Sequence, residues 1–212
     1  MIKRIIFDLD NTLIPWLDEW DLTVNKTFDY FNIPYEEKDI QLFFKVMKEY
    51  ETINDRFDMV EMSRYYRKRM NLNIPDNFVE VWTDYLKDAV PEINYELIDL
   101  LKYLSSKYSL VVCTNWFRDQ QVARLEKYKI AEYFDEFYAS DYYDKKPLKE
   151  MFKYAIGDLS KDEVVMVGDS YNSDIKGAMN IGMFSYYITT KDKRRSKKFK
   201  VIKSIYELKE YL

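Results

Sequence analysis

Apolar and polar positions change period several times along this chain, and each change marks an element. The run Ile5-Ile6-Phe7 is continuously apolar and stops at Asp8. A short unbroken apolar run predicts a strand buried on both faces of a parallel sheet. After Thr12 the period becomes helical, with Trp20, Val24, Phe28 and Phe31 on one stripe before Asn32-Ile33-Pro34 punctuates its end. Further helices are predicted over about 36–52 (Ile40, Phe43, Phe44, Met47), 58–70 and 76–87 (Phe78, Trp82, Tyr85). Residues 15–90 thus read as an all-helical block, whose aromatic and Met stripes are packing surfaces.

From Pro91 strands and helices alternate. A helix over about 92–107 buries Leu97, Leu100, Leu101 and Leu104, and the strand Leu110-Val111-Val112-Cys113 ends in Thr114-Asn115. A helix over about 118–129, a short run at 134–139 and a helix opening at Pro147 follow, since proline suits a first helical position. Val164-Val165-Met166-Val167 is a second buried strand, ending in Gly168-Asp169. A helix from about 173 stops near Gly182, then come a strand over 184–188 and a terminal helix over 205–212. The run 191–200 carries seven basic residues in ten and reads as a solvated loop, ahead of a substrate-attracting patch. The alternation predicts an α/β fold, a three-layer Rossmann-like parallel sheet with helices on both faces. Its first strand precedes the helical block, so residues 1–14 and 91–212 form one domain and 15–90 an insertion over the strand ends.

Composition narrows the chemistry. The chain has 212 residues, 47% hydrophobic and 33% charged, with four Gly and five Pro, which is a globular composition. A net charge of −4 argues against a nucleic-acid polymer as partner. No apolar stretch reaches the roughly 18 residues of a membrane span, and the start lacks the apolar core of a signal peptide. The single cysteine, Cys113, excludes an internal disulfide and fits a reducing cytoplasm. There is no histidine. Ser-His-Asp triads, Cys-His pairs and Cys/His zinc sites are therefore impossible, proton transfer falls to Asp, Glu, Lys or Tyr, and a metal site must use oxygen ligands.

Three predicted strand ends carry polar residues that a core would not choose: Asp8 and Asp10, Thr114 and Asn115, and Asp169 with Asp174 beyond it. In open α/β sheets ligands bind beyond the carboxyl ends of the strands. Close carboxylates can hold a hard cation, and one can serve as nucleophile while the other carries protons. With a lysine at Lys145-Lys146-Pro147, the set equips a crevice for phosphoryl transfer.

Four segments in order, Asp8-Leu9-Asp10-Asn11-Thr12, Val112-Cys113-Thr114-Asn115, Lys146-Pro147 and Val167-Gly168-Asp169-Ser170 with Asp174, resemble the motifs of the haloacid dehalogenase superfamily. The run Asp174-Ile175-Lys176-Gly177-Ala178, ending at Gly182-Met183, is similar too, and residues 15–90 stand in the place of the family's helical cap. The resemblance implies a phosphatase working through an aspartyl-phosphate intermediate on a small phosphorylated metabolite. Asp8 would be the nucleophile and Asp10 the acid and base. Thr114 and Asn115 would bind substrate, and Lys146, favoured over Lys145, would pair with Asp8 and the phosphoryl group. Mg²⁺ would be held by Asp8, the Asp10 carbonyl, Asp169 and Asp174, although Asp174 also reads as a helix cap. Trp116 stands where relatives often have a small residue, and Lys149 replaces a common second proline.

For the substrate, the segment from Thr114 to Ser140 resembles relatives that dephosphorylate nucleoside monophosphates. Trp16, Trp20 and Trp116 are candidates to stack a base, though at least two read as core, and Lys26, Arg56 and Arg64 are candidates to read a second charge. Sugar phosphates and phosphoglycolate are the alternatives. A phosphomutase, a dehalogenase and a non-catalytic phospholigand-binding module rank lower. The resemblance implies that dehalogenases lack the second acid, which is present here as Asp10, and a binding module would have a broken set of acids.

Overall fold

The strand predicted from the first apolar run, β1 (Arg4–Phe7), lies in the middle of a six-stranded parallel sheet. The fold comes from a computed structural model that describes residues 1–16, 19–192 and 194–212. On one side β1 pairs with β2 (Ser109–Thr114), which pairs with β3 (Glu136–Ala139). On the other it pairs with β4 (Val164–Gly168), followed by β5 (Phe184–Ile188) and β6 (Phe199–Ile202). The order β3-β2-β1-β4-β5-β6 reverses direction between β1 and β4. That reversal opens a crevice at the strand ends, where ligands bind in doubly wound sheets. Phe7 stands opposite Val112 and Val167, so β2 runs two residues and β4 one residue past the end of β1.

Alternation of side chains along a strand assigns the two faces. Ile5 and Phe7 join Leu97, Leu100, Leu101 and Leu104 of α5 (Tyr95–Ser105) and Leu125 of α6 (Arg118–Lys127). Ile6, Val111, Cys113 and Met166 turn the other way, onto Met151, Phe152 and Ala155 of α7 (Lys149–Ile156) and Ala178 of α8 (Lys176–Asn180). Cys113 is buried there, and burial raises its thiol pKa, so it is an inert packing residue.

Between β1 and α5 the described residues form four helices, α1 (Glu19–Tyr30), α2 (Glu37–Ile53), α3 (Met59–Met70) and α4 (Phe78–Leu86). Their apolar stripes meet in a separate aromatic cluster, in which Phe43 stacks on Tyr66 at 4.2 Å and Trp82 donates its indole N–H to Thr23 Oγ1 at 3.0 Å. Each such ring contributes roughly 1.5–3 kcal/mol by burial. Asp58 starts α3 by accepting the Glu61 N–H at 2.8 Å, and Asn71 ends it in the left-handed region at φ 55°. Trp116 and Phe117, just past β2, insert into this cluster from below, with Trp116 5.6 Å from Trp82 and 6.1 Å from Trp20.

Several expected boundaries move. Pro147 does not open a helix: α7 begins at Lys149, because residues 145–148 form a turn closed by the Leu148 N–H on the Lys145 carbonyl at 2.9 Å. The helix expected from 92 begins at Tyr95, where the Asn94 side chain accepts the Leu97 N–H. The helix expected from 173 opens as a π-turn, Tyr171–Ile175, before α8, and the terminal helix is a 3₁₀ segment, Ile205–Glu210. The basic run is not all loop, since its last two residues begin β6, a short edge strand that buries Phe199 and Ile202 and exposes Lys200. Lysines on an edge strand discourage pairing with another chain, and they also mask the strand's apolar signal. Lys193 of that run lies outside the described residues.

Candidate active site

Beyond Phe7 the chain turns at once. The Asp8 N–H donates to the Val167 carbonyl at 2.9 Å, the Leu13 N–H closes on the Leu9 carbonyl at 2.8 Å, and Asn11 takes a left-handed φ of 60°. Leu9 is buried in the α5 face, which leaves Asp8 and Asp10 on the crevice side.

Asp8 and Asp174 share one ammonium. Lys146 Nζ donates to Asp8 Oδ1 at 2.6 Å and to Asp174 Oδ1 at 2.5 Å, and all three side chains are almost wholly buried. Thr12 Oγ1 donates to Asp8 Oδ2 at 3.2 Å. The Ser170 N–H donates to Asp174 Oδ2 at 3.0 Å. Gly168 is demanded by that approach, because a Cβ there would lie 2.3 Å from Asp174 Oδ2. Two carboxylates against one ammonium leave a surplus negative charge in a poorly solvated place. Burial pushes the Asp8 carboxyl far above the usual range, with Lys146 opposing and Asp174 adding to the rise. Burial works to lower the Lys146 ammonium, and the two carboxylates override it, so this lysine stays charged. Asp169, at the end of β4, is pushed up to about 6, first by burial and then by Asp174.

Asp8, Asp169 and Asp174 each offer a carboxylate oxygen, and these oxygens lie within 4.8 Å of one another. Three hard donors with unbalanced negative charge fit a hard divalent cation such as Mg²⁺.

Asp10 is held by a second group of buried residues. Arg124 Nη1 donates to Asp10 Oδ1 at 2.6 Å and to Gln121 Oε1 at 2.7 Å. Gln121 Nε2 donates to Asp10 Oδ2 at 2.7 Å and to Thr114 Oγ1 at 2.9 Å. Gln121 and Arg124 are three residues apart on α6 and share its inward stripe with Gln120 and Leu125. Neither was expected from the motifs. The available signal is the stripe itself, because a helix covering a sheet with two glutamines and an arginine where leucines belong is serving polar groups beneath it.

The other expected residues sort clearly. Asn115 turns both ends of its amide onto the Lys146 backbone, accepting its N–H and donating to its carbonyl at 2.8 Å each, so its side chain holds the lysine in place. Lys145 points away from Asp8: its ammonium bonds the Glu51 and Asn54 carbonyls, and its own N–H donates to the Asp55 carbonyl at 2.8 Å. Arg56 likewise bridges from the helical block, to Asp144 at 3.0 Å and Glu150 at 2.7 Å. Arg64 pairs with Asp76 at 2.6 Å within the block, and Lys26 is exposed beside the segment 85–92. Trp20 and Trp116 are core, while Trp16 stacks on Trp20 at 3.5 Å with 39% of its surface exposed. The cap of the π-turn is Ser170, whose hydroxyl accepts the Ser173 N–H, while Asp174 Oδ2 accepts the backbone N–H of Ser170 itself.

The sequence profile of the haloacid dehalogenase-like hydrolases matches residues 5–188. The chain belongs to that family. Among its relatives, the pyrimidine 5′-nucleotidase YjjG of Escherichia coli (strain K12) is 26% identical over 98% of this chain and 96% of its own length. The glyceraldehyde 3-phosphate phosphatase of Pyrococcus abyssi is 29% identical, covering 86% of this chain and 79% of that one. The solved structure of the HAD-hydrolase YfnB from Bacillus subtilis, bound to magnesium, superposes with a TM-score of 0.76 at 20% identity over 100% of this chain and 98% of that one. This dehalogenase-family core therefore carries a six-stranded parallel sheet with the acids at its strand ends. No helix among the described residues is long and apolar enough to cross a membrane.

Proposed function

We propose that this hydrolase is a Mg²⁺-dependent phosphatase that cleaves a small phosphomonoester through an aspartyl phosphate on Asp8. The supporting observation is Asp8 itself, a buried carboxylate between Lys146 Nζ at 2.6 Å and the Thr12 hydroxyl, with Asp169 and Asp174 beside it. In the proposed reaction an Asp8 oxygen attacks phosphorus as the ester P–O bond breaks. Asp10 delivers its proton to the departing oxygen. A water then attacks the same phosphorus, Asp10 takes up its proton, and the Asp8–phosphorus bond breaks to release phosphate. Thr114 donates to a phosphoryl oxygen, and Lys146 keeps the attacking carboxylate and the phosphoryl dianion from repelling one another. Mg²⁺ would be held by Asp8, the Asp10 carbonyl and Asp169, with Asp174 direct or through water, and when bound it supplies positive charge for the phosphoryl oxygens.

Residues 15–90 act as a cap over this crevice, set on the core formed by 1–14 and 91–212. Support comes from the ties between residues 51–57, the end of α2 and the stretch after it, and residues 140–146, among them Phe57 N–H to the Ser140 carbonyl at 2.8 Å. For the substrate, the likeness to YjjG over the whole chain favours a nucleoside monophosphate, with the exposed face of Trp16 as a base platform. The likeness to the archaeal phosphatases favours a triose phosphate.

Hydrolysis of p-nitrophenyl phosphate with and without Mg²⁺, by wild type and Asp8→Asn, tests the mechanism. Turnover that needs both the metal and Asp8 is expected, and equal rates for the two proteins would sink it. A panel of nucleoside monophosphates and triose phosphates then decides the substrate class.

A further inference from the structure

The arrangement around Asp10 goes beyond the family's acids. A buried guanidinium with no apolar alternative is expensive to keep, and Arg124 is fully buried. Its three nitrogens divide their work: Nη1 binds Asp10 and Gln121, Nε donates to the Ala89 carbonyl at 3.3 Å, and Nη2 has no partner among the described residues. Ala89 lies on the return segment between α4 and α5, where the chain leaves the helical block. The neighbouring Gln120 reaches the same segment, with its Nε2 3.4 Å from the Leu86 carbonyl. One turn of α6 therefore grips the root of the block and the side chain of Asp10 at once, and through Gln121 it also fixes Thr114.

We infer that Arg124, assisted by Gln121, is the positioning residue for Asp10, setting where its carboxyl stands over the crevice according to how the return segment is seated; this rests on the phosphatase reading above. Two donors on different oxygens fix the carboxyl plane, as a single contact would not. A displacement near 1 Å at a proton donor is enough to cost about 100-fold in rate. The device acts through Asp10 and not on phosphate, since all five polar contacts made by Arg124 and Gln121 go to the protein.

The test exploits what an acid does. Proton delivery matters more as the leaving oxygen becomes more basic, and kcat/KM reports only steps up to loss of the leaving group. Wild type, Arg124→Lys and Gln121→Leu are compared on phenyl phosphate and p-nitrophenyl phosphate, which differ mainly in leaving-group basicity. If Arg124 positions Asp10, the phenyl to p-nitrophenyl ratio of kcat/KM falls by about 10-fold or more in both variants. Arg124→Lys keeps more of the ratio than Arg124→Met. Equal losses on both esters would mean a merely structural arginine, and a change confined to KM would mean a substrate contact; either overturns the inference. Thermal melting of each variant checks that it is folded, and Gln121→Leu carries the test if the Arg124 variants do not fold. A wild type inert on every phosphomonoester would instead defeat the phosphatase reading, and this inference with it.

Discussion

Replacing Lys146 by Met should unmask the charge imbalance at the centre of the site. In the native protein one ammonium serves two buried carboxylates, Asp8 and Asp174, at 2.6 and 2.5 Å. Burial pushes the Asp8 carboxyl up, and Lys146 is the group that opposes the rise. Without Lys146 that carboxyl rises further and both buried acids lose the ammonium they share. Breaking a buried ion pair from one side typically costs about 3–5 kcal/mol. The folded variant then binds more protons than the unfolded chain above pH ~4, so its stability falls as pH rises. Urea denaturation followed by circular dichroism, in the presence of a chelator, should show a loss of about 3–5 kcal/mol at pH 7.5 that is smaller at pH 5. If the variant folds only at pH 5, raising the pH should unfold it. A loss independent of pH, or one below about 1 kcal/mol at pH 7.5, would refute the reasoning.

Three further outcomes follow from the same geometry. Mg²⁺ added to metal-free protein should raise its melting temperature, by the equivalent of about 2.7 kcal/mol at 100 times Kd, and more at pH 8 than at pH 6. The sign comes from Asp8 and Asp169, whose raised carboxyls hold protons at the lower pH that a cation must displace; a pH-independent effect, or one that survives Asp169→Asn, would be contrary. Glu51, in the last turn of α2, is pushed up to about 7 by burial, with Lys145 opposing. A raised carboxyl contributes stability below its unfolded pKa and loses it as pH rises through 7, so Glu51→Gln should match wild type at pH 5 and exceed it by about 1–2 kcal/mol at pH 8.5 in urea denaturation. Gly168→Ala forces a methyl to within 2.3 Å of Asp174 Oδ2, so calorimetry should show a loss of about 1–3 kcal/mol and turnover should fall with the displaced aspartate.

The central strands were legible because buried parallel strands are nearly continuous apolar runs, and Ile5-Ile6-Phe7 and Val164–Val167 have no other reading. The acids at their ends were legible for the opposite reason, as charges where no core could use them. β6 was hidden because an edge strand of four residues buries only two side chains fully, inside a run of lysines. Pro147 misled because its local preference for a helix start yields to the Asn115 clamp on Lys146, a contact across 31 residues. Gln121 and Arg124 were overlooked because polar residues in a helix read as its solvent face until the partner beneath them is known. Asp10 supplies that partner, 111 and 114 residues away.

The claim that Asp8 is the nucleophile is tested most directly by catching it loaded. Wild-type protein with Mg²⁺ and p-nitrophenyl phosphate, quenched in acid within the first turnovers, should contain a fraction heavier by one phosphoryl group, with the added mass on the peptide that carries Asp8. Asp8→Asn treated in the same way should show none. Rapid turnover with no phosphorylated protein, or a phosphoryl group carried on any residue other than Asp8, would contradict the account.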